Sequence, residues 1–534
     1  MKKYAKILSL FAALIMVVNL AGGCSRIPDS SDSESSDPYS SDNSSPEPVE
    51  NRNESPINEF MFNKQDFIAK LHAENGVFDG ALSDDGEFDG TGYVKLRAED
   101  TLTHILNANT AQHYRIILAA RSTVGAAVTL EVGGTVCGAF YIPAREPNDF
   151  NALSFEYSAI DSVYLTPGQN VMRFYVAEGS VDIDYIIAES GSAVSSEYYS
   201  VGSACINPSA SIHTVNVMRY FSEVYGNSVL TAQNVSPASN AEIDAVFNAT
   251  GRYPAIRSGE IAYALSDGDE NKKLLEKELE LALDWTKKGG LQAYTWHWYS
   301  PNYRRGTEIG DFNLDGVFEN QRPDEIALMS GEELAAHIDN GYMRSEIASL
   351  LKDIDAMAEV LKRFDSENAT VLFHPLPDGD SGLYWWGKDP ETYQILWRIV
   401  FDRMCRYHKL KSLIWVWDGS NMDYYPGDGY VDIIGQSFYE TSDASFAGRF
   451  SSISSLTVAH KMLSVSSCDV LPNINYMFRD NAIWLWTAAG SGDFTLNMNG
   501  ALSESYNSVQ YVKFLYNCKN SIALDELPDF NIVI

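Results

Sequence analysis

Short runs of alternating apolar and polar residues fill the chain between about residues 57 and 190. Clear examples are residues 114–118, 128–132 and 171–175, with Gly, Asn and Pro residues between the runs. Strict alternation interrupted by turn residues is typical of antiparallel strands that bury one face. A segment of this length suits one all-β domain, so the pattern predicts a β-sandwich over residues 57–190.

The pattern changes at about residue 215, where apolar runs of strand length alternate with long stretches of helical periodicity. The predicted strands are residues 227–233, 255–259, 291–297, 371–376, 412–417, 431–436, 461–466 and 482–486. The predicted helical stretches are residues 271–287, 332–364 and 390–407. Eight strands that alternate with helices are typical of a (β/α)8 TIM barrel, which we predict for residues 215–534.

The first 24 residues have the organisation of a lipoprotein signal peptide. Lys2, Lys3 and Lys6 precede an apolar run at residues 7–20, and small residues lead to Cys24. The apolar run is short for a membrane span, and small residues before a cysteine suit cleavage by a lipoprotein signal peptidase. We therefore expect residues 1–24 to direct export, and a lipid on Cys24 to anchor the protein in the membrane at the bacterial cell surface.

Residues 25–56 consist mostly of Ser, Asp, Glu and Pro and contain almost no apolar side chains. Such a segment cannot bury enough surface to offset the entropy lost on ordering, so we predict a disordered tether. A tether placed directly after a lipid anchor would let the folded part stand away from the membrane.

Acidic residues far outnumber basic residues. The chain has 39 Lys and Arg against 72 Asp and Glu, a formal net charge of −33. This charge argues against nucleic acids and other polyanions as partners and favours a neutral or cationic ligand. The 24 Phe, 30 Tyr and 10 Trp residues suit a sugar-binding protein, because pyranose faces stack on aromatic rings, although a large core explains most of them equally well.

The number and spacing of the cysteines do not indicate a cofactor. Those after Cys24 are Cys137, Cys205, Cys405, Cys468 and Cys518, an odd and scattered set. Their spacing gives neither a disulfide framework nor a metal-ligand motif, so we expect no cofactor in the barrel.

Polar and aromatic residues gather directly after the predicted barrel strands, where TIM-barrel enzymes place their chemistry. The segments are, in order, TWHW at 295–298, YWWG at 384–387, YPGD at 425–428 and YVDIIG at 430–435. With the Gly pair at 289–290, they resemble landmark segments of glycoside hydrolase family 26, the β-mannanases, over about 300 residues. The resemblance implies a β-1,4-mannan polysaccharide as ligand. It also implies a retaining mechanism with one Glu after the fourth strand and another at the end of the seventh.

Both catalytic positions implied by this resemblance carry other residues. The acid position aligns with Asp378 and the nucleophile position with Ser467. Asp is one methylene shorter than Glu, and a displacement of roughly 1 Å can cost about a hundredfold in rate. A neutral hydroxyl without an adjacent base cannot form the usual glycosyl ester. Asp469 offers an alternative carboxylate, because a continued strand would place it near Asp378 at the wider spacing of an inverting mechanism.

Four residues implied by the resemblance could still line a sugar-binding cleft, namely His297, Trp386, Tyr439 and Trp486. Each of these four residues could equally well have a packing role at the top of the barrel. The sequence thus predicts a cell-surface protein that binds β-mannan or a related neutral glycan on a family 26 scaffold, with lost or much reduced hydrolysis. The alternative is an active endo-β-1,4-mannanase or related hydrolase with a relocated carboxylate pair. A third interpretation, a scaffold whose barrel only spaces the N-terminal module, is disfavoured by the cleft aromatics.

Three segments of the N-terminal part carry a second resemblance, HAENG at 72–76, GTGYV at 90–94 and VDIDYI at 181–186. Together they resemble family 35 carbohydrate-binding modules and their jelly-roll relatives, which implies a sugar-binding role. In that group an early Glu and a late Asp help to hold a structural calcium ion, which maps to Glu74 and Asp184. Oxygen ligands from the first and last strands suit Ca²⁺, although both acids could simply be solvated residues at strand ends.

Overall fold

The computed structural model describes residues 67–145, 154–301, 306–439, 442–455, 457 and 459–532. Cys24, with the predicted signal peptide and tether, lies outside the described residues. Within them, no helix has both the length and the apolar character needed to cross a bilayer.

The N-terminal part is rich in β-structure, with ten strands among the described residues. They are β1 Phe67–His72, β2 Val77–Phe78, β3 Ala81–Ser83, β4 Tyr93–Arg97, β5 Thr101–Ala108, β6 Gln112–Arg121, β7 Ala126–Val132, β8 Thr135–Ile142, β9 Glu156–Leu165 and β10 Gly168–Ser190. The first half of β10 pairs with β5 and β7, and its second half pairs with β1, β4 and β6, all antiparallel. The long strand β10 therefore belongs to two sheets.

The two sheets enclose one apolar core. Strand β5 illustrates how the sequence builds it, since Leu102 and Leu106 are buried while the alternate Ile105 is exposed. Leu118, from the sheet that holds the second half of β10, belongs to the same buried cluster as Phe140 of β8. An N-terminal β-rich part is thus confirmed, whereas its jelly-roll classification and sugar-binding role stay predictions.

Parallel strands close into a barrel in the second part of the described chain. They are β11 Val229–Val235, β12 Ile256–Glu260, β13 Leu291–Trp296, β14 Val371–Pro375, β15 Leu413–Asp418, β16 Ile433–Phe438, β17 Met462–Cys468 and β18 Trp486–Ala489. Strand β11 pairs with both β12 and β18, which closes the sheet, and the short β19 Ser521–Ile522 adds to β11. The (β/α)8 fold expected from the pattern is confirmed.

Helices surround the barrel. They are α1 Ile212–Val224, α2 Ala241–Thr250, α3 Asp269–Lys287, α4 Pro323–Leu328, α5 Gly331–Asp339, α6 Ser345–Ser366, α7 Pro390–Asp402, α8 Ala447–Ser454, α9 Ile474–Asp480 and α10 Val509–Asn517. Helix α6 buries Ile347, Leu350, Ile354 and Leu361, the spacing of one helical face. The predicted stretch 332–364 is two helices, because the chain turns between α5 and α6 with Gly341 at a φ of 73°.

The eighth strand differs from its prediction. We expected residues 482–486, but the strand begins at Trp486. The backbone N–H of Ile483 donates to the Tyr199 hydroxyl at 2.8 Å, and that of Ala482 donates to the carbonyl of Met477 at 2.9 Å. These residues are therefore bonded to the short 3-10 helix that ends at Tyr199 and to helix α9 instead of a neighbouring strand. Trp486 opens β18 instead of ending it.

Candidate functional site

The loop after β14 holds Asp378 in an uncommon backbone conformation. Leu376 and Asp378 have φ angles of 51° and 48°, the left-handed region that bulky residues rarely adopt. The Tyr393 hydroxyl donates to the carbonyl of Leu376 at 2.9 Å, and Nε1 of Trp386 donates to the carbonyl of Pro377 at 3.1 Å. The surrounding side chains thus fix this loop and leave Asp378 half-buried at the mouth of the barrel.

A buried network lies at the carboxyl ends of the neighbouring strands. Asp418 ends β15, and its Oδ2 lies 2.8 Å from Nδ1 of His374. Its Oδ1 accepts a hydrogen bond from the Ser466 hydroxyl at 2.6 Å. The backbone carbonyl of Asp418 accepts from the backbone N–H of Asp378 at 3.0 Å. Our sequence analysis missed Asp418, although an acid at the carboxyl end of an otherwise apolar strand is a recognisable signal.

A β-bulge directs Ser466 towards this network. The register of β16 against β17 shifts, so that Gln436 is opposite Val465 whereas Ser437 is opposite Ser467. Ser466 is the extra residue between the two pairs. The hydroxyl that reaches the buried carboxylate therefore belongs to Ser466, while Ser467, the predicted nucleophile position, is half-buried opposite Ser437.

The carboxyl group of Asp378 holds its proton unusually well. Burial, together with the carboxylates of Asp418 and Asp380, raises its pKa to about 7, and His297 acts in the opposite direction. Asp380 itself is engaged, because its Oδ2 accepts from the backbone N–H groups of Ser420 and Asn421, both at 2.7 Å. A carboxyl that is partly protonated near neutral pH has the protonation state that a general acid requires.

A histidine and a glutamate form a second charged pair at the barrel mouth. Nδ1 of His297 is hydrogen-bonded to the carboxylate of Glu260, the last residue of β12. Burial lowers the pKa of His297, but Glu260, Asp378 and Asp418 outweigh that effect, so the pKa is raised. His297 therefore keeps its positive charge to higher pH than an ordinary histidine. Glu260 is a residue that our sequence analysis missed, although it follows the same strand-end rule.

The aromatic wall of the cleft differs from the prediction. Tyr384 stacks on Trp386 with ring centroids 4.5 Å apart and an interplanar angle of 8°. Trp386 is 0% exposed and Trp486 is 2% exposed, so a sugar ring cannot reach either face directly. Trp386 supports Tyr384 from behind, and Trp486 packs inside the barrel. The half-buried rings are Tyr384, which we had not predicted, and the predicted Tyr439 and His297.

Tyr439 lies near both members of the predicted relocated pair. Burial raises the pKa of its phenol, and the charges of Asp378 and Asp469 raise it further. Asp469 follows β17 directly, and its backbone N–H donates to the carbonyl of Phe438 at 3.1 Å. The structure therefore brings Asp378, Asp469 and Tyr439 to the same end of the barrel.

The structure also brings Glu74 and Asp184 together in the N-terminal part. Burial raises the pKa of Asp184 to about 7, with Lys70 lowering it and Glu74 raising it. One oxygen of Glu74 accepts from the backbone N–H of Thr91 at 2.9 Å, and the Asp184 oxygens accept from that of Asp89 at 3.1 and 3.0 Å. The other Glu74 oxygen is buried without a hydrogen-bond partner. A buried acceptor beside a second carboxylate fits a cation.

The donor set available to such a cation is small. Among the described residues, no group of three or more His, Cys, Asp or Glu side chains could hold a metal ion. A calcium ion at Glu74 and Asp184 would therefore need further oxygen ligands, such as backbone carbonyls or water, which Ca²⁺ readily accepts.

Comparison with known proteins identifies relatives for most of the chain. The family described as glycosyl hydrolase family 26 matches residues 206–518. The chain is 26% identical over 479 residues to mannan endo-1,4-beta-mannosidase B of Piromyces sp, covering 86% of this chain and 77% of that protein. It is 25% identical over 462 residues to a mannan endo-1,4-beta-mannosidase of Thermothelomyces thermophilus, covering 85% and 89% of the two chains.

Two solved structures share the fold over both parts of the chain. The GH26-CBM35 beta-(1,4)-mannanase of Podospora anserina superposes with a TM-score of 0.55 and 24% identity, covering 88% of this chain and all of that one. A ruminal GH26 endo-beta-1,4-mannanase gives a TM-score of 0.58 and 21% identity, covering 88% and 99%. At these identities the likeness establishes the fold.

Asp378→Asn should change how stability depends on pH. Because the folded-state pKa of about 7 lies above the ordinary value of 3.8, folded protein binds a proton between those pH values that unfolded protein has lost. The contribution of Asp378 to the free energy of unfolding is therefore present at low pH and lost as pH rises from 3.8 through about 7. Urea unfolding of both proteins between about pH 4 and pH 8 should show the wild type losing stability relative to the variant.

The Asp418→Asn background provides the control for this measurement. Removing that charge should reduce the pH-dependent effect of the Asp378→Asn substitution, because Asp418 contributes to the raised pKa. Distant titrating groups, such as Asp184, are common to both proteins and cancel, whereas His297, whose pKa Asp378 helps to raise, contributes to the measured difference together with Asp378. A stability difference between wild type and Asp378→Asn that stays constant with pH would contradict the raised pKa.

Proposed function

Because the chain belongs to glycosyl hydrolase family 26, we propose that its barrel binds a β-mannan-type polysaccharide at its mouth and hydrolyses it slowly or not at all. The observation that carries this proposal is a half-buried aromatic wall beside Asp378, at a barrel end where the predicted nucleophile position is Ser467. The relatives named mannan endo-1,4-beta-mannosidases suggest the substrate class.

The cleft contains the aromatic and polar side chains that the binding of a neutral glycan requires. Tyr384 offers a ring face backed by Trp386, and the phenol of Tyr439 and the amide of Gln436 line the same cleft. Aromatic faces with a few polar groups are the usual composition of small-molecule and sugar sites. A neutral polysaccharide is also compatible with a chain of net charge −33, because it experiences no repulsion.

Hydrolysis has weaker support than binding, because Asp418, the carboxylate that neighbours Asp378, is poorly placed to act on a sugar. A retaining hydrolase needs two carboxyl groups about 5.5 Å apart with the sugar between them. Asp378 has a raised pKa that suits the acid, but Asp418 is 3% exposed and both its oxygens are engaged by Ser466 and His374. A Cβ added at Gly435 would collide with Asp418 Oδ1, so this carboxylate is packed against the strand backbone.

The alternative function is a hydrolase in which Asp378 and Asp469 act as an inverting pair. The raised pKa of Asp378 favours it, because a protonated carboxyl can deliver a proton to a glycosidic oxygen. In that reaction the ionised Asp469 would accept a proton from water as the water attacks the anomeric carbon, and Asp378 would protonate the leaving oxygen.

The wild-type protein should bind manno-oligosaccharides, measured by isothermal titration calorimetry, while releasing little or no reducing sugar from mannan. Tyr384→Ala should lower the affinity by roughly three- to tenfold, because an aromatic contact is worth about 0.5–1.5 kcal/mol. Tyr175→Ala, at a half-buried tyrosine of β10 outside the cleft, is the matched control and should leave binding unchanged.

Restoring the carboxylates tests why hydrolysis is weak. Measurable hydrolysis by the double variant Asp378→Glu and Ser467→Glu would locate the loss at those two positions. If that variant stays inactive, the bulge at Ser466 and the His374–Asp418 contact have also reshaped the site. Robust wild-type hydrolysis that both Asp378→Ala and Asp469→Ala abolish would establish the inverting alternative, and hydrolysis indifferent to both would place the active site elsewhere.

We further propose that a calcium ion binds at Glu74 and Asp184 and stabilises the N-terminal part. An ion that binds only the folded state raises stability by mass action, so excess chelator should lower the melting temperature of the full-length protein. The variant Asp184→Asn should melt at the same temperature with and without chelator. Elemental analysis without bound metal, together with identical wild-type melting curves in calcium and in chelator, would reject the site and leave Lys70 as the local counter-ion.

We also propose that a lipid on Cys24 anchors the protein at the bacterial surface. Cys24→Ala should release the protein from the membrane fraction, because a signal segment without acyl chains gives no stable anchorage. Cell fractionation with immunoblotting measures this, and membrane retention of an exported, processed Cys24→Ala protein would count against the anchor.

A further inference from the structure

The β-rich part is fixed to the barrel by a buried charge network. Asp480, at the end of α9, is 2% exposed, and its Oδ1 lies 2.9 Å from Nε2 of His113 on β6. Arg479 donates to both Asp480 oxygens at 2.6 and 2.7 Å, and the Ser445 hydroxyl donates at 2.5 Å. The Arg479 guanidinium also lies 4.4 Å from the ring centre of Tyr164 on β9. A buried carboxylate with this many partners makes a well-defined contact between the two parts.

Strands β8 and β9 are held against the barrel by two further contacts. The backbone N–H of Val136 donates to the Ser442 hydroxyl at 3.3 Å. Gly448 of α8 approaches β9 so closely that an added Cβ would lie 3.3 Å from Cγ2 of Ile160. The start of α8 therefore rests directly on strands of the β-rich part, and the position of β8 relative to the barrel is defined.

Near its end, β8 presents a tyrosine to the barrel cleft. Phe140 and Ile142 are buried in the core of the β-rich part, so the alternation of a strand turns Tyr141 to the opposite face. Tyr141 is half-buried and lines the same cleft as Asp378 and Tyr384. Arg449 of α8, the helix that carries the contact with β9, lines this cleft as well.

We propose that the β-rich part forms one wall of the barrel's glycan cleft and that Tyr141 stacks on a sugar unit bound beside Asp378. The inference rests on the proposed function of the cleft and adds to it a binding residue from the other part of the chain. The ligand it takes is a neutral β-linked hexose chain, since a phenol offers an apolar face for a pyranose and a hydroxyl for its hydrogen bonds.

A wall residue and an independent sugar-binding module would add to affinity in different ways. A module that binds glycan at a site of its own, on a flexible linker, raises apparent affinity only through effective concentration on long polymers. A wall residue held rigidly over the barrel cleft contributes to every oligosaccharide long enough to reach it, because it is already in place before binding. Short soluble oligosaccharides therefore distinguish the two arrangements.

The test uses the full-length protein and manno-oligosaccharides of increasing length, with affinities from isothermal titration calorimetry. Tyr141→Ala should weaken binding about three- to tenfold once the chain is long enough to reach the β8 wall, and Tyr141→Phe should retain most of the affinity. Tyr175→Ala should again have no effect, because Tyr175 lies on β10 outside the cleft.

A second measurement covers the case in which Tyr141→Ala folds poorly. Tyr141→Trp keeps an aromatic ring, and its fluorescence should change on addition of the oligosaccharide, in comparison with a Tyr175→Trp protein. An unchanged affinity for Tyr141→Ala in a protein where Tyr384→Ala loses binding would overturn this inference and leave the proposed function standing. Equal losses from Tyr141→Ala and Tyr175→Ala would also overturn it. If the wild type binds none of the oligosaccharides, both proposals fall.

Discussion

The mouth of the barrel depends on one buried charge, the carboxylate of Asp418. A carboxylate removed from water must regain the hydrogen bonds that it loses, and Asp418 regains them from His374 and Ser466. Its backbone carbonyl binds the N–H of Asp378, so the same residue fixes the strained loop after β14. Its charge also adds to the burial that raises the pKa of Asp378 to about 7. Geometry and protonation at the mouth therefore have a common origin.

This arrangement separates two carboxyl groups by depth. Asp378 is half-buried at the cleft and keeps its proton to a higher pH than an ordinary aspartate, whereas Asp418 is buried in the network of Ser466 and His374. Enzymes commonly place two carboxyl groups in different environments, because this separates their pKa values and lets one act as an acid and the other as a base. Here Asp418 is packed against the backbone at Gly435, and its oxygens are hydrogen-bonded to neighbouring side chains. A carboxyl with a raised pKa therefore lies at the cleft, while the neighbouring carboxylate is buried and engaged by hydrogen bonds.

The periodic pattern of the sequence predicted the strands of the barrel. It did not predict the features that depend on contacts between distant segments. Seven barrel strands lie within a few residues of their predicted positions, because each buried run carries its own signal. The eighth strand shifted because a distant hydroxyl, that of Tyr199, binds the backbone of Ile483. The bulge at Ser466 and the burial of Trp386 likewise depend on register and packing, which periodicity does not specify. Glu260 and Asp418 could have been predicted from the sequence, since both end barrel strands.

The β-rich part lies beside the cleft of the barrel and lines part of it. Binding sites bury most of the surface of a small ligand, so each wall that surrounds a cleft can add to the affinity. Helix α8 and the contact of Asp480 with His113 hold the β-rich part against the barrel, and Tyr141 of β8 joins Tyr384 in one cleft. Since buried contacts already hold this wall in place, little conformational entropy is lost in ordering Tyr141 when a glycan binds. Affinity in the barrel then depends on the folding of the β-rich part, so whatever stabilises that part also stabilises the cleft.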